Sequence, residues 1–273
     1  MNKNMLRGLS LALILCLLAP VALAAKKPAD TPTPAPVAIT QTVQQPPEVI
    51  RSVLDLAYTE WETLAGKTLK NVNKYTEWRG KGIGFGWCGG YITWCMLQHE
   101  IPMEQLQVMQ KNDQGPVDGV VHVKEASVGK LLRGYQMMNR STNIPQPGFL
   151  LVYGCSYNKT IHIGLVYDVV ELGGGKFRIT TLEGNMSKRV KLYIRDYDMN
   201  VQVNTKDRKS TNLTVIPEEE RTLEASNHLD YSIPSSKPSS GGSTKYAYYV
   251  NCFLMPWIPE NMATTENTPE VSE

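Results

Sequence analysis

The hydrophobic pattern of this chain changes from helical to strand-like near residue 149, and this change restricts the fold most strongly. Before it, apolar residues recur at helical spacing in three segments, 47–64, 88–98 and 124–138. After it come strand-like runs, namely 149–153, 162–170, 176–182, 190–194 and 246–255. The pattern therefore predicts an α+β fold in which N-terminal helices pack on an antiparallel β-sheet.

The composition divides the chain into four regions. Residues 1–24 combine Lys3 and Arg7, an apolar run and Ala22-Leu23-Ala24, which predicts a signal peptide, with a membrane anchor as the alternative. Residues 25–47 predict a proline-rich linker, and residues 259–273 a disordered acidic tail. The domain is predicted at 48–258, with a polar insertion at about 200–245.

The charge balance argues against a polyanionic partner. The chain has 28 basic and 26 acidic residues, and removal of the signal peptide leaves 26 of each. We therefore expect no nucleic-acid partner. No second long apolar stretch follows residue 24, so we expect no membrane span after signal removal.

Four cysteines remain after the signal peptide: Cys88, Cys95, Cys155 and Cys252. They do not form the dense framework of a disulfide-stabilised domain, and no Cys/His spacing is that of a zinc site. The sequence alone leaves open whether Cys155 and Cys252 form a disulfide.

Cys88 lies where a glycine-punctuated loop, 80–86, runs into the second helical segment. A helix N-terminus lowers the pKa of a thiol because its N–H groups and dipole stabilise the thiolate. Cys88 is therefore a candidate nucleophile, with an inert buried thiol as the alternative. Cys95, one heptad further along the same helix, is predicted to pack as a small hydrophobe.

His162 is the best candidate for the base. His99 lies on the same helix as Cys88 but roughly 16 Å away, and His122 and His228 are predicted at the surface. Gly173-Gly174-Gly175 predicts a hairpin, and a turn centred between Leu172 and Gly173 would place His162 directly opposite Glu183. A carboxylate there could orient the imidazole, although a chance cross-strand pair is the alternative.

These residues resemble motifs of the CHAP family, within the NlpC/P60-like and papain-like cysteine hydrolases. The resemblance covers roughly residues 49–194 and rests on segments 73–78, 87–88, 94–95, 145–148, 162–166 and 182–185. It implies a papain-like fold, Cys88 as nucleophile, His162 as base, Glu183 and Asn185 as polar partners, and no metal or organic cofactor.

The chain also departs from the family pattern. Gly89-Gly90 replaces the alanines usual after the nucleophile, and we expect this to open room near the thiol. Phe149 replaces the aspartate usual after Pro-Gly.

The leading hypothesis is a secreted or periplasmic cysteine hydrolase that cleaves peptidoglycan amide bonds, as an endopeptidase or an N-acetylmuramoyl-L-alanine amidase. The amide substrate class follows from the resemblance, and the location from the predicted signal peptide. Two alternatives stay open: a non-catalytic cell-wall-binding or immunity module of the same fold, and a thiol protease or acyltransferase that acts on proteins.

Overall fold

A computed structural model describes residues 43–64, 66–111, 121–221, 229–260 and 262. The predicted signal peptide, most of the predicted linker and tail, and His228 lie outside these residues. Residues 41–273 form one compact unit, and the description below concerns its described part.

The helices come first along the chain, as the periodicity predicts. They are α1 (Glu48–Leu64), α2 (Lys74–Glu77), α3 (Cys88–Gln98), α4 (Leu106–Lys111) and α5 (Val128–Met137). The predicted apolar face of α1 is buried through Ile50, Val53, Ala57 and Trp61. The third predicted helix begins at Val128 instead of residue 124, because residues 124–127 are not helical and the N-cap Ser127 has an extended backbone. The short strand β2 (His122–Val123), which pairs with β1 (Met103–Glu104), lies before this segment.

The remaining strands follow α5 and most of them join one sheet. They are β3 (Ser141–Thr142), β4 (Leu150–Cys155), β5 (Asn158–Gly173), β6 (Lys176–Met186), β7 (Arg189–Asp198), β8 (Leu213–Thr214), β9 (Leu229–Asp230), β10 (Ser235–Ser236), β11 (Tyr246–Ala247) and β12 (Tyr249–Leu254). The main sheet has the order β3-β12-β4-β5-β6-β7-β8 with antiparallel neighbours, and β9 adds a parallel pairing to β7. The chain is therefore an α+β protein with a large antiparallel sheet.

The β5–β6 hairpin differs from its predicted register. Gly173 pairs with Lys176, so the turn is Gly174–Gly175, two residues later than predicted. Two β-bulges in β5, at Glu171/Gly173 and Val166/Asp168, then each shift the pairing back by one residue toward the predicted register. Near the site Leu165 pairs with Leu182, a net displacement of two positions from the predicted pairing. The direct opposition of His162 and Glu183 was therefore wrong, but an even displacement leaves both side chains on one face.

The predicted polar insertion at 200–245 contributes strands to the structure. Its described residues supply β8 and β9 to the main sheet, and β10 pairs with β11. The predicted last strand, 246–255, is divided into β11 and β12, and β12 lies between β3 and β4.

Helix α3 packs on β5 and β6 in the centre of the core, which brings its first residue next to the sheet. Residues near the two ends of the described part also meet, because Glu260 donates a backbone hydrogen bond to the Gln44 side chain at 3.0 Å. Within the described residues, every helix is too short or too polar to cross a bilayer.

Candidate active site

Cys88 is the first residue of α3, which has Trp87 as its N-cap. The first backbone hydrogen bond of the helix runs from Tyr91 N to Trp87 O at 2.9 Å, so the preceding N–H groups have no acceptor within the helix. Burial would raise the pKa of the Cys88 thiol. The His162 imidazole and the backbone N–H groups of Gly89 and Cys88 outweigh it, and the thiol pKa is lowered.

His162 lies on β5, with only 5 % of its surface exposed. Its Nε2 is 3.0 Å from Glu183 Oε2, which leaves Nδ1 for the Cys88 thiol. Burial would lower the pKa of His162, but interactions with Cys88 and Glu183 raise it to about 9. The lowered thiol pKa and raised imidazole pKa favour transfer of the thiol proton to the imidazole, which gives a thiolate–imidazolium pair.

Aromatic rings hold the imidazole in place. Tyr153, the direct β4 partner of His162, stacks against it with ring centroids 5.7 Å apart. The Tyr248 ring lies 6.1 Å away at a tilt. These two tyrosines restrict the rotation of the imidazole.

Glu183 is fully buried and accepts hydrogen bonds on both carboxylate oxygens. Oε2 faces His162, and Oε1 accepts from Tyr153 Oη at 2.6 Å and from Thr181 Oγ1 at 2.7 Å. Burial would raise the pKa of this carboxyl group, but the Arg195 charge and the hydrogen bonds of His162 and Tyr153 lower it to about 2. Glu183 is therefore an anion throughout the physiological pH range.

Gly164 allows Glu183 to reach His162. A Cβ atom at position 164 would lie 2.8 Å from Glu183 Cγ, closer than carbon atoms normally approach. The Glu183 side chain therefore passes over the β5 backbone at a glycine, where no side chain obstructs it. The His162–Glu183 contact is diagonal across the hairpin, instead of directly cross-strand.

The sequence reasoning missed Arg195, which lies on β7 and is 1 % exposed. Its Nη1 donates to Glu183 Oε1 at 3.2 Å and to Tyr153 Oη, and its Nε donates to Ser232 O at 2.9 Å. The guanidinium also lies 3.8 Å from the centroid of the Tyr193 ring. The alternation of β7 places Arg195 on the same face as Tyr193, and an arginine directly after the predicted strand 190–194 was the available signal.

Asn185 lies near the loop that leads to Cys88. It has a left-handed backbone with φ of 64°, and a Cβ atom at Gly86 would lie 3.6 Å from its Nδ2. Among the described residues, no hydrogen bond joins Asn185 to His162. Glu183 is thus the residue that contacts the imidazole, and Asn185 borders the loop that leads to Cys88.

The other described histidines and Cys95 lie away from this cluster. His122 is fully buried, so its predicted surface position was wrong: its ring nitrogens contact Tyr135 Oη at 2.8 Å and Thr93 Oγ1 at 3.0 Å. Burial lowers the pKa of His122 to about 3 and keeps it neutral. His99 is the C-cap of α3, at the opposite end from Cys88. Cys95 is buried, and burial raises its pKa well above the usual value, which confirms the predicted packing role.

The two glycines after Cys88 do not open the expected room. A Cβ atom at Gly89 would lie 2.3 Å from Ala126 O, and one at Gly90 would lie 2.7 Å from Tyr75 O. The expectation was wrong because neighbouring backbone fills this space. The glycines allow the start of α3 to pack closely.

Cys155 and Cys252 are free thiols in the structure. In the sheet, the cross-strand partner of Cys252 on β12 is Val152, and that of Cys155 on β4 is Asn158. The two cysteines are therefore not cross-strand partners of each other. Among the described residues, no cluster of three or more His, Cys, Asp or Glu side chains could hold a metal ion.

The Cys88–His162–Glu183–Arg195 series alternates negative and positive groups when the thiol is ionised. Such a series can supply a nucleophile and a proton donor side by side. No family model, curated protein or solved structure matches this chain.

Proposed function

We propose that this chain is a cysteine hydrolase of the CHAP type, with a papain-like fold, that cleaves amide bonds of bacterial peptidoglycan. The observation that carries the proposal is the Cys88–His162–Glu183 series, in which a half-buried thiol with a lowered pKa interacts with a buried imidazole whose pKa is raised to about 9. Peptidoglycan as the substrate rests on the motif resemblance and on the predicted export signal in residues 1–24.

The reaction begins with attack of the Cys88 thiolate on the carbonyl carbon of the amide. The backbone N–H of Cys88, which has no acceptor within the helix, donates to the oxyanion that forms. The His162 imidazolium transfers its proton to the amine nitrogen, the C–N bond breaks, and a thioester to Cys88 remains.

Water then completes the reaction. Neutral His162 accepts a proton from water, hydroxide adds to the thioester, and the C–S bond breaks to release a carboxylic acid and the thiolate. Glu183 and Arg195 do not touch the substrate in this scheme. Glu183 orients the imidazole and stabilises its charged form, and Arg195 keeps Glu183 ionised.

Digestion of purified peptidoglycan, followed by mass spectrometry of the fragments, tests the proposal. The wild-type protein should release fragments with new amine and carboxylate ends, and Cys88→Ala should release none. Cys95→Ala is the matched control, because Cys95 is a buried thiol of the same helix, and it should remain active. Equal digestion by wild type and Cys88→Ala would reject the mechanism, and release of peptides only from added proteins would reject the substrate.

A further inference from the structure

A polar groove with a cavity volume of about 290 Å³ lies between the segments 78–79, 105–107 and 124–130. Trp78 lines it, and Trp78 Nε1 donates to Gly90 O at 3.3 Å. Glu125 lines it as well, and Glu125 O accepts from Thr93 Oγ1 at 2.6 Å. Two residues that line the groove are therefore hydrogen-bonded to the first two turns of the helix that begins with Cys88.

Glu125, which lines the groove, carries an unsatisfied buried acceptor. The residue is 7 % exposed, and its Oε1 pairs with Lys130 Nζ at 3.2 Å. Its Oε2 is buried and has no hydrogen-bond partner among the described residues. Such an atom costs free energy until a donor reaches it, so the site favours a ligand that brings an N–H group.

The other charged residues of the groove are positive. Arg79, Lys124 and Lys130 line it beside Glu125, which gives the groove a net positive charge. Lys130 is already paired with Glu125, whereas no ion pair joins Arg79 or Lys124 to a described acidic residue. Arg79 and Lys124 are therefore available for anionic groups of a ligand.

We propose that this groove is a substrate subsite for a peptide segment that carries both an ammonium group and carboxylates. The ammonium donates to Glu125 Oε2, and the carboxylates pair with Arg79 and Lys124. The inference rests on the proposed function, because the stem peptides of peptidoglycan carry these groups together.

Binding to the Cys88→Ala protein tests the subsite without turnover. The probe is the tripeptide L-alanyl-γ-D-glutamyl-L-lysine, compared by calorimetry with its Nε-acetyl-lysine form and its α-carboxamide glutamyl form. The free peptide should bind about ten-fold or more tightly than either modified form, as expected for hydrogen bonds between charged groups.

Two variants assign the contacts. Adding Glu125→Gln should weaken binding of the free peptide about ten-fold and leave the acetylated peptide unchanged. Adding Lys124→Gln, at a partly exposed position where folding is not at risk, should weaken the free peptide and leave the carboxamide form unchanged. Glu171→Gln, at an exposed position of β5, is the control and should change neither affinity.

The subsite is overturned if the free and modified peptides bind equally, if none of them binds, or if the variants weaken all peptides alike. Peptidoglycan digestion by the protein with intact Cys88 is scored separately. If the protein digests peptidoglycan but the free and modified peptides bind equally, the subsite alone is rejected. If the free peptide binds selectively but peptidoglycan is not digested, the proposed function alone is rejected.

Discussion

Arg195 and Glu183 form an ion pair that is almost completely removed from solvent. The Nη1–Oε1 distance is 3.2 Å, and the two side chains are 1 % and 0 % exposed. A buried carboxylate without a cation would take up a proton or destabilise the fold. Arg195 therefore determines whether Glu183 can hold a protonated His162.

Replacement of Arg195 by Met should destabilise the protein by about 3–5 kcal/mol, because it removes one of the two cations that face a fully buried carboxylate. Denaturant unfolding measures this change. Lys176→Met is the control: its ion pair with Asp198 is largely exposed, and the expected loss is about 0–1 kcal/mol. If Arg195→Met folds, the pKa of Glu183 should rise. As the pH is lowered, the variant should therefore lose activity at a higher pH than the wild type. Equal stability losses in both variants would contradict the assigned role.

Glu183→Gln tests the charge at the centre of the series. The amide keeps the shape but removes the anion, so the pKa of His162 should fall and that of the Cys88 thiol should rise. The pH dependence of Cys88 alkylation by iodoacetamide should shift to higher pH, and kcat should fall on the order of 100-fold or more. Glu171→Gln should leave both unchanged, and an unshifted alkylation profile in Glu183→Gln would contradict the coupling.

The sequence could predict the elements that carry the site, but not all of its contacts. Helical and strand-like periodicity located α1, α3 and the β5–β6 hairpin, and the helix-start argument separated Cys88 from Cys95. The turn position and the two bulges of β5 do not alter the apolar pattern, so the pairing was misplaced by two residues.

Long-range burial explains the residues that the sequence reasoning missed or misplaced. Arg195 is covered because Ser232, from the polar insertion, accepts its Nε–H. His122 is buried because Thr93 and Tyr135, from two different helices, satisfy both ring nitrogens. Neither partnership has a local sequence signal, since the partners are between 13 and 37 residues apart.

Gly164→Ala tests the diagonal path of Glu183. The added methyl group would lie 2.8 Å from Glu183 Cγ and 3.4 Å from its Cδ, so the carboxylate should move away from His162. Stability should fall by about 1–3 kcal/mol, and kcat about ten-fold or more. Gly129→Ala on α5 is the control, because its methyl group meets Thr160 Oγ1 only at 3.6 Å. That variant should be as active as wild type and of equal or greater stability, and similar losses in both would contradict the steric argument.

The pH dependence of hydrolysis should separate the role of the Cys88 thiolate from that of the His162 imidazolium. His162 has its pKa raised to about 9, so the imidazolium that protonates the leaving amine is present below that pH and is lost as the pH rises through it. The Cys88 pKa is lowered, so the thiolate persists on both sides of pH 9. We therefore expect kcat/KM to fall above about pH 9, whereas iodoacetamide alkylation of Cys88, which needs only the thiolate, should not fall.

Both rates can be measured on the same protein from about pH 5 to about pH 10. A parallel fall of both rates would indicate unfolding, and hydrolysis that continues undiminished above pH 9 would contradict His162 as the proton donor.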